Sequence, residues 1–163
     1  MDFKKLIPDF NALKNVNWAK PEVDTKNTLG LAGLVAAGLM AIFVFLPWFG
    51  ILFIDRSGIT LWYGILGFIF ALVAVAGVLY KQHGLTFCAS VGGILMGLLG
   101  LICYASLTYE GQTQSAEEIK NMVEEASKHG ADIPISRIGA ILYFVAALAS
   151  AAVAYFTINK KEE

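Results

Sequence analysis

Four long stretches without a charged side chain divide this sequence. They run from residues 27 to 54, 60 to 80, 84 to 109 and 138 to 159, and each is mostly apolar. A helix needs about 20 consecutive apolar residues to cross a hydrocarbon core about 30 Å thick. The pattern therefore predicts an all-α membrane protein, a bundle of four transmembrane helices with spans near residues 29–47, 61–80, 85–107 and 137–158.

The composition supports a membrane protein over a soluble domain. Hydrophobic residues make up 57% of the 163 residues and charged residues 15%, whereas globular chains are about half apolar and a quarter charged. The first apolar stretch is preceded by a mostly polar arm and is too long for the core of a cleaved signal peptide. We therefore expect it to be a span. The predicted divisions of the chain are a cytoplasmic arm (1–28), a membrane domain (29–158) and a cytoplasmic tail (159–163).

The orientation is predicted from the lysines and arginines that flank the spans. Eight lie on one side, namely Lys4, Lys5, Lys14, Lys20, Lys26, Lys81, Lys160 and Lys161, and four on the other, namely Arg56, Lys120, Lys128 and Arg137. Because cytoplasmic loops carry the excess of positive charge, both termini are expected in the cytoplasm. In the arm, residues 8–16 predict a short amphipathic helix, which lies on the inner leaflet, docks a partner or folds against the bundle.

The segment 45–64, FLPWFGILFIDRSGITLWYG, is expected to reverse the chain between spans 1 and 2. Asp55 and Arg56 would each cost about 2.5–3.5 kcal/mol at the centre of a bilayer. The residues that flank the 55–58 turn favour strands, so the sequence predicts either a small β-hairpin or a helical break with an interfacial loop. Trp48, Trp62 and Tyr63 are expected to anchor the chain at the membrane interface, because each ring is apolar and carries one polar atom.

The loop between spans 3 and 4 predicts an amphipathic helix over residues 116–128. Ser115 and Glu118 have the spacing of a capping box, and Gly130 lies where a helix commonly ends. Ile119, Met122, Val123 and Ala126 share one face. The polar face is acidic and gains nothing from anionic lipid headgroups, so the apolar face is expected to cover the bundle or to bind a partner. Glu124 and Lys128 on the polar side are predicted to pair.

The candidate partner surface combines residues of this helix with residues of the loop between spans 1 and 2. It consists of Ile51, Leu52, Phe53, Asp55, Arg56, Ile119, Met122, Val123, Glu124 and Glu125.

Small residues recur on all four spans. Helices in lipid associate through close backbone approach at such positions, since lipid removes the hydrophobic drive between them. The predicted helix-packing residues are Gly33, Ala37, Gly64, Gly67, Gly93, Gly97, Gly100, Ala147 and Ala151.

Residues that could carry chemistry are sparse. No ionisable side chain lies at the centre of a span, which argues against a proton relay or a coupled ion transporter. His83 and His129 are predicted on opposite sides of the membrane and cannot share a metal. Cys88 and Cys103 would lie about 22 Å apart along one helix, beyond the reach of a disulfide. The sequence therefore predicts no catalytic residue, no metal site, no cofactor and no nucleic-acid partner.

One short pattern resembles a known group of proteins. Leu46-Pro47-Trp48-Phe49, followed by Ser57-Gly58 and Trp62-Tyr63-Gly64, resembles a pattern in small uncharacterised bacterial proteins with four transmembrane helices. The resemblance implies this architecture and a bacterial inner membrane, but no activity. The topology is also similar to that of claudin-like proteins, with cytoplasmic termini and two outer loops. The claudin tryptophan and cysteine pattern is absent, and no claudin function is carried across.

Three functions remain open from the sequence. The first is a non-enzymatic accessory or scaffold subunit in contact with membrane lipids and a protein partner, through helix 116–128, loop 49–60 or the basic arm. The second is a small homo-oligomeric transporter, channel or lipid-binding protein. The third is a membrane enzyme that modifies lipid, for which Asp55, Arg56, Glu110 and Asp132 are the candidates.

Overall fold

A computed structural model describes residues 6–17, 20–21, 27–51, 54–109, 112–131 and 133–160. The helices are α1 (Phe10–Lys14), α2 (Thr28–Phe43), α3 (Trp62–Leu79), α4 (His83–Ile102), α5 (Ala116–Lys128) and α6 (Ile138–Lys160). The strands are β1 (Pro47–Ile51), β2 (Ile54–Ser57), β3 (Leu107–Tyr109), β4 (Gln112–Gln114) and β5 (Ile135–Ser136), and a 3-10 turn covers Gly58–Thr60. The fold is thus mostly helical, with small antiparallel sheets.

Among the residues that the structure describes, three helices are long and apolar enough to cross a membrane. They are Trp62–Leu79, His83–Ile102 and Ile138–Asn159, and α2 is a shorter apolar helix of 16 residues. By helix length and hydropathy the chain is a multi-pass membrane protein. Helix α4 ends five residues before the predicted end of its span, because Cys103 is extended and Leu107 begins a strand. Helix α2 likewise ends at Phe43, since Pro47 already belongs to β1.

The four apolar helices pack as a ring. Helix α2 contacts α3 and α6, and α4 contacts the same two helices from the other side. We call the end of the ring that carries β1, β2, β5 and α5 the cap end, and the opposite end the tail end. At the tail end the Cys88 thiol lies 3.4 Å from the Leu6 carbonyl oxygen and donates to it. The chain around Leu6 therefore folds against the bundle, which was one of the three alternatives for the arm.

Small residues lie where the helices meet. All nine predicted helix-packing residues are buried. A Cβ atom at Gly33 would lie 3.3 Å from the Val153 side chain, and one at Gly97 would lie 3.0 Å from Phe144. Because these positions lack bulk, α2 and α4 each approach α6 closely.

Polar side chains join the helices at two further points. The Ser90 and Ser150 hydroxyls are fully buried and lie 2.8 Å apart, which links α4 to α6. The Tyr143 hydroxyl donates to the Gly67 carbonyl at 2.7 Å, which links α6 to α3 across the ring. In a bilayer these groups find no water, so each bond also removes the cost of an unsatisfied polar atom.

The cap end carries a three-stranded antiparallel sheet in the order β2–β1–β5. The predicted β-hairpin is confirmed, but its predicted turn at residues 55–58 is wrong. Asp55 is paired with Gly50 inside the ladder, and the reversal falls between Ile51 and Ile54. The register follows from burial, because Trp48 and Phe49 are fully enclosed and hold β1 against the bundle. Pairing of β1 with β5 and the β3–β4 hairpin were not predicted.

We predict that packing around Gly100 limits the stability of the bundle. A Cβ atom there would lie 2.8 Å from the Trp48 ring and 3.0 Å from the Ala140 Cβ. Gly100→Ala should therefore destabilise the protein by about 1–3 kcal/mol. Gly38 is the matched control, since a Cβ there meets nothing within 4 Å, and Gly38→Ala should be neutral or gain up to about 1 kcal/mol of helix propensity. Thermal unfolding in a neutral detergent measures both, and equal losses would contradict the prediction.

A second prediction concerns the Ser90–Ser150 pair. Either serine replaced by alanine leaves the other hydroxyl without its partner, so the double variant should cost less than the sum of the single ones. The expected coupling is about 0.6 kcal/mol, the size seen for interhelical hydrogen bonds in bilayers. Thr157 donates within its own helix to Val153 at 2.7 Å, so Ser90→Ala combined with Thr157→Ala should be additive. A double-mutant cycle of unfolding free energies tests both, and an additive Ser90–Ser150 pair would refute the link.

Candidate functional site

Trp48 occupies the centre of the cap end. Its side chain is fully buried, and its indole N–H donates to the Phe43 carbonyl at 2.9 Å. Its ring centroid lies 4.9 Å from that of Tyr143 and 6.0 Å from that of Tyr63. The bond gives the buried indole N–H an acceptor at the C-terminus of α2, on a carbonyl that also accepts from the Leu46 backbone N–H at 3.2 Å. Trp48 therefore packs in the protein interior and does not take the lipid-facing position expected of an interface anchor.

Tyr63 is the second predicted anchor that lies inside the protein. Its side chain is only 3% exposed, and its hydroxyl is buried with no hydrogen-bond partner among the described residues. An unsatisfied buried hydroxyl costs about 1–3 kcal/mol. Trp62 differs, since its side chain is 62% exposed on the outside of α3, and its role as an interface anchor stays a prediction.

Arg137 lies at the start of α6, in the angle between two aromatic rings. Its guanidinium carbon lies 5.8 Å from the Phe49 ring centroid and 5.3 Å from that of Tyr104. The two rings meet at 66° in an edge contact. Such contacts hold a cation over the negative faces of the rings. Within the part of the chain that the structure describes, no carboxylate forms an ion pair with this guanidinium.

The same region collects polar groups that can donate hydrogen bonds. We call Phe49, Tyr104 and Arg137 the Arg137 corner. Its polar groups are one cation with five N–H donors and the Tyr104 hydroxyl. This arrangement suits a ligand that carries hydrogen-bond acceptors and negative charge.

Sequence reasoning missed the Arg137 corner. Arg137 counted only as a charge that flanks a span, and that was the available signal. It does not show that the side chain meets the Phe49 and Tyr104 rings, because these residues lie 88 and 33 positions earlier in the chain.

The second feature is an open groove between α2 and α6. It has a volume of about 520 Å³ and runs along α2 from Thr28 to Phe43. Its walls include Leu31, Ala32, Val35 and Leu39 from α2, and Val145 and Ala149 from α6. Apart from Thr28, every side chain that lines the groove is apolar. The groove can therefore hold an apolar segment and offers almost no polar group to orient one.

Helix α5 covers the cap end with part of its apolar face. Ile119 is 1% exposed and belongs to the same core cluster as Trp48. Val123 is half-buried, whereas Met122 is 45% exposed. Ile119 therefore packs this face against the bundle, while Met122 stays exposed.

The rest of the predicted partner surface is divided. On α5, Glu124 and Glu125 are exposed, and Glu124 pairs with Lys120 at 3.6 Å, where the sequence predicted Lys128. On the hairpin, Asp55 is exposed, while Ile51 and Arg56 are half-buried. Leu52 and Phe53 lie outside the described residues.

The candidates for chemistry do not converge in the described part of the chain. Asp55 and Arg56 are neighbours on β2, so their side chains point to opposite faces of the sheet. Glu110 and Asp132 lie outside the described residues. His83 begins α4 at the tail end, whereas His129 follows α5 at the cap end. Among the described residues, no three His, Cys, Asp or Glu side chains group closely enough to hold a metal ion.

Comparison with protein-family models, with curated proteins and with solved structures finds no match for this chain.

The capping box at the start of α5 predicts a pH dependence. The Ser115 backbone N–H donates to Glu118 Oε2 at 2.7 Å, and the Ser115 hydroxyl donates to the same oxygen at 3.0 Å. These bonds hold the pKa of Glu118 below its usual value. A lowered pKa stabilises the fold above the ordinary glutamate pKa of about 4.3, and this contribution is lost as the pH falls through the lowered value.

We therefore expect amide hydrogen exchange in the first turn of α5, corrected for its intrinsic pH dependence, to lose protection below about pH 4. Glu118→Gln keeps an acceptor without the charge and should make that protection insensitive to pH. Glu117→Gln, an exposed neighbour in the same turn, should leave the wild-type profile unchanged. A Glu117 variant that behaved like the Glu118 variant would contradict the assignment.

Proposed function

We propose that this protein is an accessory or scaffold subunit of a bacterial inner membrane, with four spans and both termini in the cytoplasm. It acts by binding an apolar transmembrane helix of a partner protein in the groove between α2 and α6. The observation that carries the proposal is the groove of about 520 Å³, which is open and almost wholly apolar.

The properties of α2 support its role as a fourth span. It lies in the ring between α3 and α6, and Leu31, Val35 and Ile42 face outward as exposed apolar side chains. Its 16 residues measure about 24 Å, less than the hydrocarbon thickness of about 30 Å. A short span is accommodated by local thinning of the bilayer or by association with other helices. Association with another helix is available here, because the groove lies along α2.

The walls of the groove support a helix as the occupant. Ala32 and Ala36 lie four residues apart on α2, and Ala146 and Ala149 face them from α6. Small residues at this spacing allow backbones to approach closely, which is how helices associate in lipid. The groove also runs the full length of α2, so it matches a helix rather than a short side chain or a small polar ligand.

The closed interior favours a binding role over transport within one copy. The buried hydroxyls of Ser90, Ser150 and Thr157 are all hydrogen-bonded. Trp48 and Tyr143 are fully buried at the cap end. A continuous aqueous path would need unpaired polar groups along the bundle axis, and the described interior is instead apolar and packed. The orientation rests on the eight lysines that flank one side of the predicted spans, against four cations that flank the other side.

Site-specific photo-crosslinking in intact membranes tests the proposal. A photoreactive residue at Val35, inside the groove, should give a discrete protein adduct whose crosslinked peptide is an apolar transmembrane segment. The same residue at Leu95, which is 55% exposed on α4 and outside the groove, should react with lipid. A groove probe that yields lipid adducts alone, or only a dimer of this chain, would refute the partner helix.

Filling the groove provides an independent check. Ala149→Leu places three more carbons in the groove and should reduce the Val35 adduct by about tenfold, equivalent to about 1.4 kcal/mol. Ala152→Leu is the matched control, because Ala152 is exposed one turn further along the same helix and does not line the groove. Equal reduction by both variants would point to a general effect on the bundle and contradict the prediction.

A further inference from the structure

We propose that the Arg137 corner binds the phosphate group of an anionic phospholipid at the cap-end surface of the membrane. The Arg137 guanidinium lies against the Phe49 and Tyr104 rings and has no carboxylate partner among the described residues.

The position of Arg137 matches the level of lipid headgroups. It directly precedes α6, at the end of a long charge-free stretch. The nearby exposed residues are apolar, with Ile138 56% and Ile102 68% exposed at the ends of α6 and α4. Acyl chains can therefore lie along these helices while the headgroup stays beside the guanidinium. Cationic sites at this depth recognise headgroup phosphates.

The aromatic rings prepare the guanidinium for such a ligand. Phe49 and Tyr104 contact it from two directions, which restricts the rotamers that an arginine otherwise samples. Guanidinium groups bind phosphate oxygens through two parallel N–H bonds. The side chain is half-buried, so part of it is open to a ligand at the surface. Less rotamer entropy is then lost when the phosphate binds.

Native mass spectrometry of the full chain in neutral detergent tests the site. Phosphatidylglycerol should be retained about tenfold better than phosphatidylcholine, since only the first carries a net negative charge. Arg137→Gln should abolish this preference, and Arg137→Lys should restore part of it, because lysine keeps the charge but not the planar fork. Glycerol 3-phosphate in solution distinguishes the source of the phosphate, and displacement of the lipid by it would overturn the lipid assignment.

Tyr104→Leu distinguishes a guanidinium held by aromatic rings from a bare charge. It keeps Arg137 but removes one of the two rings beside it, so phosphatidylglycerol should be retained several-fold less well. Unchanged retention in this variant would overturn the site even if the Arg137 variants failed to fold.

Two controls separate this site from general effects. Lys128 is exposed in the last turn of α5, at the same end of the bundle, and Lys128→Gln should keep the lipid preference. An equal loss in that variant would reduce the effect to overall charge and overturn the site. Ala149→Leu, which fills the α2–α6 groove, should not alter phosphatidylglycerol binding. Failure of the partner-helix proposal is therefore distinguishable from failure of the lipid site.

Discussion

The burial of the Trp48 side chain among the helices is the contact on which the cap end depends. The chain turns back into the bundle directly after α2, which places Trp48 and Phe49 in the interior. The buried indole N–H needs an acceptor, because lipid offers none, and it donates to the Phe43 carbonyl. Close approach around the indole is possible because Gly58, Gly100 and Gly139 lie against it, each at a point where a Cβ atom would overlap the ring. Strand β1 is thereby held in place, and β2 and β5 pair with it.

The interior of the bundle is closely packed, and the features that could bind a ligand lie at its surface. Within the ring, small residues bring the helices together, and the Tyr143 and Ser90–Ser150 bonds connect helices that lipid alone would not drive together. Each of these hydroxyls is hydrogen-bonded, either to the other serine or to a backbone carbonyl. The unmatched features lie at the margins, where α2 is too short to fill its side of the ring and Arg137 has aromatic neighbours but no carboxylate. The proposals for a partner helix and a lipid phosphate both arise from this contrast.

Features that depend on residues close together in the sequence could be predicted. Helix α3 begins and ends within one residue of its predicted span, because apolar length alone determines where a helix can cross a membrane. The capping box of Ser115 and Glu118 was predictable for the same reason, since both partners lie within one turn. The buried positions of the nine small residues also followed from spacing. By contrast, the turn of the hairpin was misplaced, because strand preference around residues 51–62 fits more than one register and only burial of Trp48 and Phe49 selects among them.

What the sequence by itself determined is the number and order of apolar segments, their antiparallel succession, and the local helix signals of α5. These follow from hydropathy and from contacts a few residues apart, which need no knowledge of the rest of the fold. Only the tertiary structure decided which aromatic residues are interior and which are exposed. Trp48 and Trp62 have the same chemistry, yet one is 0% and the other 62% exposed. It also decided that Arg137 lies against Phe49 and Tyr104 and that α2 and α6 leave a groove, because both depend on the packing of segments distant in the chain.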